Sequence, residues 1–190
     1  MRSPVIQTLQ ICWVVMFVIW AVTRLGTRRT AVSQADMRAR AAVLVVWIAW
    51  FLLFNDRVHK GVLGLRFVPE GSAAEYIGAA LGILGLLFAI WARFTIGRNW
   101  SAMVTVTQDH ELIRRGPYGI VRHPIYSGLM LATLGTAIAY GEVAGLLSFA
   151  LIVIAWGYKA RLEELLMREQ FGAQYDEYQR QVKGLIPYVW

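Results

Sequence analysis

Residues 73–94 read AAEYIGAALGILGLLFAIWARF, which is 22 residues with one carboxylate near the start and one arginine near the end. A helix needs about 20 predominantly apolar residues to cross the hydrocarbon core of a bilayer, so this stretch predicts a transmembrane helix. Small residues recur along it and along a later stretch, which lets two helix backbones approach closely. They are Gly78, Gly82 and Gly85 in the first stretch and Gly128, Ala132 and Gly135 in the second.

Four further apolar stretches predict membrane helices on either side of this one. They run from Val5 to Thr23, from Ala41 to Phe54, from Ile125 to Tyr140 and from Val143 to Tyr158. The second and fourth of the five spans are shorter than the roughly 17 residues that a crossing needs, and the second could extend into residues 58–68. The first has no small-residue cleavage site of the kind that ends a signal peptide, so we expect a retained helix.

The composition agrees with a membrane protein. Apolar residues make up 57% and charged residues 16% of the 190 residues, whereas soluble domains carry nearer a quarter charged residues. Cys12 is the only cysteine, and the three histidines are far apart in the sequence. We therefore expect neither a disulfide framework nor a metal site.

The distribution of Lys and Arg explains the net charge of +7. Fifteen of the nineteen fall in the segment after the first span, the segment after the third span and the C-terminal tail. The positive-inside rule puts these three segments in the cytoplasm and the N-terminus outside, which agrees with an odd number of spans. Anionic membrane lipid is then a sufficient partner for the basic groups, and no nucleic acid is needed.

The chain is expected to form one membrane domain over residues 1–190, divided into residues 1–96 with the first three spans and residues 97–190 with the last two. Residues 97–124, GRNWSAMVTVTQDHELIRRGPYGIVRHP, are too polar to span and are expected at the cytoplasmic surface. After the fifth span, the spacing predicts an amphipathic surface helix, a stop at Gly172 and a second short helix. The fold class is therefore an all-α integral membrane bundle of about five transmembrane helices with C-terminal amphipathic helices.

Two polar clusters flank the last two spans. Pro124 fits the first turn of a helix, so Arg122 and His123 lie at a helix N-terminus that favours an anionic or electron-rich ligand; an anchor to lipid phosphate is an equal alternative. Glu163 follows Lys159 by four residues and shares its helix face, as part of a site or as a solvated ion pair. Together the clusters predict a pocket with a polar cytoplasmic end and an apolar end.

An ordered series of motifs extends these clusters over the second half of the chain. It comprises Gly97-x-Asn99-Trp100-Ser101, His110-Glu-Leu-Ile113, Gly116-Pro-Tyr118, Val121-Arg-His-Pro124 with Tyr126 and Gly128, Glu163-Glu164, Phe171-Gly172, Tyr175, Tyr178 and Ile186-Pro187. The series resembles the isoprenylcysteine carboxyl methyltransferase family from roughly Gly97 to the C-terminus. The resemblance implies a five-span membrane enzyme that binds S-adenosylmethionine near the cytoplasmic surface, in the half formed by residues 97–190. Its acceptor would be lipophilic, such as an isoprenylcysteine-type carboxylate, and would enter from the bilayer.

The resemblance also assigns roles to individual residues. Those that it implies for cofactor binding are His110, Glu111, Leu112, Ile113, Tyr118, His123, Leu131 and Glu163, with Leu131 as part of the apolar wall. Arg122 and Lys159 are the candidate catalytic residues and would orient the acceptor. The family usually has an arginine at the position of Lys159, and lysine keeps the charge but loses the bidentate fork.

Other functions stay open at this point. A related methyltransferase could act on small thiols, which need activation to thiolate, or on phospholipid amines. The second half is also similar to membrane sterol and enone reductases, in which Arg114 and Arg115 could bind the 2′-phosphate of NADPH. A non-enzymatic subunit or transporter is the last alternative, but transport calls for polar groups at mid-membrane and the spans are nearly free of them.

Overall fold

The structure is a computed structural model that describes residues 2–24, 35–71, 73–97 and 112–187. Within these ranges the chain forms α1 (Pro4–Arg24), α2 (Ala35–Phe54), α3 (Ala73–Ile96), α4 (Pro124–Tyr140), α5 (Val143–Phe171) and α6 (Ala173–Gln181). Two short 3-10 helices, Gly61–Gly64 and Gly116–Gly119, lie in the connections. No strand occurs in the described ranges, so the predicted all-α class is confirmed.

Three helices carry the membrane character. Pro4–Thr23 of α1, Ala73–Ile96 of α3 and Val143–Phe171 of α5 are long and apolar enough to cross a bilayer. The apolar helix α4 has 17 residues, which is at the lower limit for a crossing. The membrane bundle is therefore confirmed, whereas five separate crossings stay a prediction.

The outer surface of the bundle is apolar, as a lipid environment requires. Ile11 on α1, Leu84 on α3 and Ile154 on α5 are 63%, 57% and 67% exposed. Large apolar side chains in such numbers on the surface of a water-soluble monomer would be unusual. Their positions on three different helices indicate that lipid surrounds the bundle.

Two predicted boundaries are wrong. Helix α2 begins at Ala35 instead of Ala41, so it takes in Arg38 and Arg40, and residues beyond Phe54 form turns and a 3-10 helix instead of extending it. Helix α5 runs without a break from Val143 to Phe171, so the fifth span predicted to end at Tyr158 and the surface helix predicted after it are one helix. It continues because its charged groups pair at helical spacing and with α4, as described below. The predicted stop at Gly172 is confirmed by a φ of +49°.

The predicted close packing between α3 and α4 is confirmed. A Cβ atom on Gly85 would lie 2.4 Å from the backbone N of Ala132 and 2.6 Å from the carbonyl O of Gly128. A Cβ atom on Gly135 would lie 2.3 Å from the backbone N of Gly82. No side chain fits at these positions, and the two helix backbones are therefore in direct contact.

Helix α4 lies at the centre of the bundle, between α3 and α5, while α1 packs on α3 and α2 packs on α5. The indole Nε1 of Trp13 on α1 donates to Thr136 Oγ1 on α4 at 2.9 Å, and Ser148 Oγ on α5 donates to the carbonyl of Ala49 on α2 at 2.7 Å. The rings of Trp13 and Trp50 join α1 to α2, with 5.6 Å between centroids. The central position of α4 makes its two ends the places where several segments meet.

Candidate functional site

The start of α4 is fixed by the C-terminal segment. The backbone N–H of Arg122 donates to the carbonyl of Lys183 at 2.8 Å, and that of His123 donates to the carbonyl of Gly184 at 3.0 Å. Pro124 then occupies the first turn of the helix, as predicted, because its missing N–H costs nothing there. Two backbone hydrogen bonds to the segment after α6 therefore hold Arg122 and His123 in place.

Six side chains meet where α4 begins beside α5, and we call them the junction cluster. They are Arg122, His123 and Tyr126 from the start of α4 and Lys159, Glu163 and Glu164 from α5. Arg122 Nε donates to Glu164 Oε1 at 3.0 Å, and His123 Nε2 lies 3.1 Å from the same oxygen. The other ring nitrogen of His123, Nδ1, lies 3.5 Å from Glu163 Oε2. His123 is thus placed between the two carboxylates.

Lys159 forms the buried half of the junction cluster. Its side chain is 3% exposed, and Nζ donates to Tyr126 Oη at 2.7 Å and to Glu163 Oε1 at 2.8 Å. Tyr126 in turn donates its hydroxyl proton to Glu163 Oε1. The alternative of a solvated Lys159–Glu163 ion pair is therefore wrong, because α4 covers the pair with an aromatic ring.

Both ring nitrogens of His123 face carboxylate oxygens, an arrangement that favours the form with a proton on each nitrogen. Burial alone would lower the pKa of His123, but the hydrogen bonds and negative charges of Glu163 and Glu164 outweigh it and raise the pKa above its ordinary value. With His123 protonated, the cluster holds three cations and two carboxylates, which leaves one positive charge in excess.

Aromatic rings form the walls around these charges. The ring of Tyr126 stacks on Trp156 with 4.5 Å between centroids and on His123 with 5.7 Å. Tyr118 is buried in the Gly116–Gly119 turn, where its carbonyl accepts the hydroxyl proton of Tyr178 at 2.6 Å. Burial, with the nearby charge of Glu163, raises the pKa of Tyr118, so its phenol stays protonated.

The residues predicted for the site divide into three groups. Arg122, His123, Lys159 and Glu163 belong to the junction cluster, and Tyr118 lies in the turn next to it. Leu112 and Ile113 are half-buried in the segment that leads to this turn, and Leu131 is half-buried on α4, about 12 Å along the helix axis from His123. His110 and Glu111 lie outside the described residues.

Glu164, predicted as one of the acidic pair after the fifth span, binds Arg122. Two further residues of the site were given no role by the sequence. Tyr126 links Lys159 to Glu163, and Trp156 supports the ring of Tyr126. Tyr126 lies in the first turn of α4, directly after His123 and Pro124. The sequence pattern could not indicate that the Tyr126 side chain is turned toward α5.

Arg114, one of the two arginines behind the reductase alternative, is engaged elsewhere. Its guanidinium donates to the carbonyl of Gln174 at 2.5 Å and lies 5.4 Å from the ring centroid of Tyr178. It therefore fastens α6 to the Gly116–Gly119 turn. Arg115 is exposed.

These features define a class of protein, namely a helical membrane bundle whose central helix starts at a buried cluster of charges closed by the C-terminal segment. A model of the family "Phospholipid methyltransferase" matches residues 74–174, which is more than half of the chain. The chain therefore belongs to the phospholipid methyltransferase family.

Individual relatives point to one branch of this family. Protein-S-isoprenylcysteine O-methyltransferase B of Arabidopsis thaliana is 32% identical over 117 residues, which are 59% of this chain and 58% of that protein. A probable protein-S-isoprenylcysteine O-methyltransferase of Oryza sativa is 29% identical over 120 residues, covering 60% and 62%. The human protein-S-isoprenylcysteine O-methyltransferase is 29% identical over 121 residues, covering 57% and 42%.

A solved structure supports the same relation. The eukaryotic intramembrane Ras methyltransferase, an isoprenylcysteine carboxyl methyltransferase, matches with a TM-score of 0.52 and 25% identity, covering 84% of this chain and 55% of that one. The resemblance predicted from the sequence motifs is thereby confirmed. The matches span only about half of the length of these relatives.

Proposed function

We propose that this protein is an integral membrane methyltransferase that transfers a methyl group from S-adenosylmethionine to a lipophilic acceptor. An isoprenylcysteine-type carboxylate is the first candidate for the acceptor, because the relatives that carry that name match the half of the chain that contains the junction cluster. The observation that carries the proposal is the 3.5 Å between His123 Nδ1 and Glu163 Oε2, since one ligand can touch both residues.

The donor set of the junction cluster fits S-adenosylmethionine. Glu163 Oε1 is occupied by Lys159 and Tyr126, whereas Oε2 has only the long contact of 3.5 Å to His123 Nδ1 among the described residues, which leaves room on this oxygen for a further donor. Glu163 would therefore hold the ammonium group of the cofactor. His123 and Tyr118 would contact the rest of its polar part. Its nucleoside would lie along residues 110–113, and Leu131 would line the apolar side.

Positioning and water exclusion are the tasks left for the protein. Bound S-adenosylmethionine supplies a methyl group that is already activated, and a carboxylate acceptor is already ionised. No general base is therefore required, and alignment of the reactants gives most of the rate. Lys159 would orient the acceptor. Arg122 would hold Glu164 and the C-terminal segment, since it also donates to the carbonyl of Val182.

The charge distribution suggests how the protein sits in the membrane. We propose that the junction cluster faces the cytoplasm, that the N-terminus is outside, and that α2 and α4 also cross. All members of the junction cluster come from residues 97–190, in agreement with a division into a scaffold of three spans, residues 1–96, and a cofactor-binding half. The acceptor would enter from the bilayer.

Phospholipid amines are the second candidate acceptors, because the family model carries the name phospholipid methyltransferase. An ammonium group must lose a proton before it can attack a methyl group. Within the described residues, Glu163 and Glu164 are both held by cationic partners, so neither is well suited to act as the base. A carboxylate, which needs no base, is therefore the better candidate for the acceptor.

A transfer assay tests the proposal. The purified protein in lipid nanodiscs would receive methyl-labelled S-adenosylmethionine together with an S-prenylated N-acetylcysteine, a small thiol or phosphatidylethanolamine. We expect label in a base-labile methyl ester of the prenylcysteine, and at least tenfold less with Glu163→Gln, which loses a charge-assisted hydrogen bond. Glu169→Gln, an exposed change on the same helix, should leave the rate unchanged. Absence of transfer to all three acceptors would contradict the proposal.

A further inference from the structure

Trp156 on α5 is a buried tryptophan with an unused donor. Its side chain is 8% exposed, and its indole N–H meets no hydrogen-bond acceptor in the described part of the chain. Buried donors in native proteins are nearly always paired. An unpaired donor beside a cluster of charges therefore suggests a partner that arrives with a ligand.

The ring of Trp156 is held in one orientation. It stacks on Tyr126 with an interplanar angle of 8°, and Tyr126 stacks on His123 with an angle of 7°. Turning the indole toward another acceptor would break this column of rings. The fold does satisfy a buried indole elsewhere, because Trp13 donates to Thr136 Oγ1 at 2.9 Å.

Lys159 supplies a second donor close by, one of whose N–H groups has no acceptor among the residues that the structure describes. Its ammonium has three N–H groups, of which two bind Tyr126 Oη and Glu163 Oε1. Its Nζ lies 5.8 Å from the centroid of the Trp156 ring. Two hydrogen bonds of about 2.9 Å and the width of a carboxylate together span roughly 8 Å. The distance of 5.8 Å from Lys159 Nζ to the ring centre of Trp156 is shorter than this span. One carboxylate between the two side chains can therefore reach both donors.

We propose that the indole N–H of Trp156 and the third N–H of Lys159 form a two-donor fork that binds the carboxylate of the methyl acceptor. A lysine alone is a point donor and does not fix both oxygens of a carboxylate, whereas the added indole N–H does. A protonated amine would meet two donors in the fork, so Trp156 selects acidic acceptors over amines. This inference rests on the proposed function, because it assumes that the acceptor binds at the junction cluster.

The substitution Trp156→Phe tests the fork, because it removes the N–H and keeps an aromatic ring for the stack on Tyr126. We expect the KM for an S-prenylated N-acetylcysteine to rise about tenfold, as for the loss of one hydrogen bond to a charged group. The affinity for S-adenosylmethionine and the melting temperature should change little, since the free protein loses no hydrogen bond.

Trp50→Phe is the matched control. The Nε1 of Trp50 is likewise without an acceptor among the described residues, and its side chain is also 8% exposed. Its ring packs against Trp13, Phe17 and Trp47 instead of against charged groups. We expect its KM for the prenylcysteine to equal that of the wild type, because an unpaired indole without a second donor makes no fork.

A spectroscopic readout separates this inference from the proposed function. The protein has eight tryptophans, and Trp156→Phe identifies the Trp156 indole N–H signal in a nitrogen-15 NMR spectrum. We expect that signal to shift on addition of the prenylcysteine acid and to stay in place with its methyl ester. A shift of the Trp156 signal without methyl transfer would contradict the proposed function and support the fork. Methyl transfer with an unmoved signal and an unchanged KM in Trp156→Phe would overturn the fork.

Discussion

The two ends of α4 carry charge clusters of different character. At the end opposite the junction cluster, about 26 Å away along the helix, lies the distal cluster of Arg2, Asp56, His59, Arg66 and Glu142. Glu142 accepts from Arg2 at 2.9 Å, lies 2.5 Å from His59 Nδ1 and is 3.4 Å from Arg66. A single carboxylate therefore gathers three basic groups.

The distal cluster ties chain segments together, and its groups are occupied by one another. Arg2 and Glu142 are 140 positions apart, and Arg2 also binds Asp56 at 2.7 Å. Backbone bonds from Phe67 to Gly141 and from Val143 to Leu65 close the same corner. The junction cluster, by contrast, keeps one N–H of Lys159 and the indole N–H of Trp156 without acceptors in the described ranges. Saturated charges that join distant segments indicate a structural role, whereas spare capacity indicates a ligand.

Removal of Glu142 should produce the largest effect on stability. Glu142 is 9% exposed, and Glu142→Ala leaves three basic groups without their shared carboxylate, so we expect a loss of about 3–5 kcal/mol. Unfolding of the detergent-solubilised protein measures this loss. Glu70→Ala is the control, because Glu70 pairs with Arg66 while its side chain is 81% exposed. Equal stability of the two variants would show that the distal cluster is not structural.

The backbone contact between α3 and α4, which includes Gly85, provides the next test. We expect Gly85→Ala to cost about 1–3 kcal/mol, because overpacking forces the two backbones apart. In Gly157→Ala the new Cβ atom meets nothing within 4 Å, so its stability should be equal or slightly higher. Thermal unfolding of the pair checks both values. A stable Gly85→Ala variant would contradict the backbone contact between α3 and α4.

A smaller effect is expected from Tyr126→Phe in the junction cluster. The variant keeps the stacked ring and loses the hydroxyl that joins Lys159 to Glu163, so stability should fall by about 1 kcal/mol. The rate of methyl transfer should also fall, and by more than the loss of folded protein explains, because Lys159 and Glu163 lose their alignment. Tyr76→Phe, with a side chain that is 61% exposed, should leave both unchanged. Equal activity of Tyr126→Phe and wild type would remove Tyr126 from the site.

The smallest effect concerns pH. Glu163 and Glu164 raise the pKa of His123, so its protonated form contributes stability that is fully present below the unfolded pKa of about 6.5. This contribution is lost as the pH rises through the raised pKa of the folded state. We therefore expect the difference in melting temperature between wild type and His123→Gln to shrink in that upper range. A difference that does not vary with pH would contradict the assignment.

The sequence predicted those features that depend on local pattern. The length of the apolar stretches predicted α1, α3 and the start of α5. The spacing of Gly78, Gly82 and Gly85 predicted the close contact of α3 with α4. Pro124 marked the start of α4 because its missing N–H is tolerated only in a first turn. The motif series also indicated that His123 and Glu163 belong to one site.

The remaining features depend on tertiary contacts. Arg38 and Arg40 suggested a loop, but α2 includes them. Both side chains are exposed at the start of α2, where charged residues are compatible with a membrane helix because they reach water. Lys159 and Glu163 suggested a surface helix separate from the fifth span, but α5 is one helix in which both residues pair and bind Tyr126 of α4. The distal cluster was not predicted, because no periodic pattern relates Arg2 to Glu142.

Calorimetric titration of S-adenosylmethionine into the nanodisc-embedded protein tests whether the junction cluster binds the cofactor. We expect saturable binding of one cofactor per chain, weakened at least tenfold by Glu163→Ala and by His123→Ala, each of which removes contacts of a charged group. Glu169→Ala should bind like the wild type. Absence of binding to the wild type, or equal affinity in all four proteins, would contradict the assignment of the junction cluster as the cofactor site.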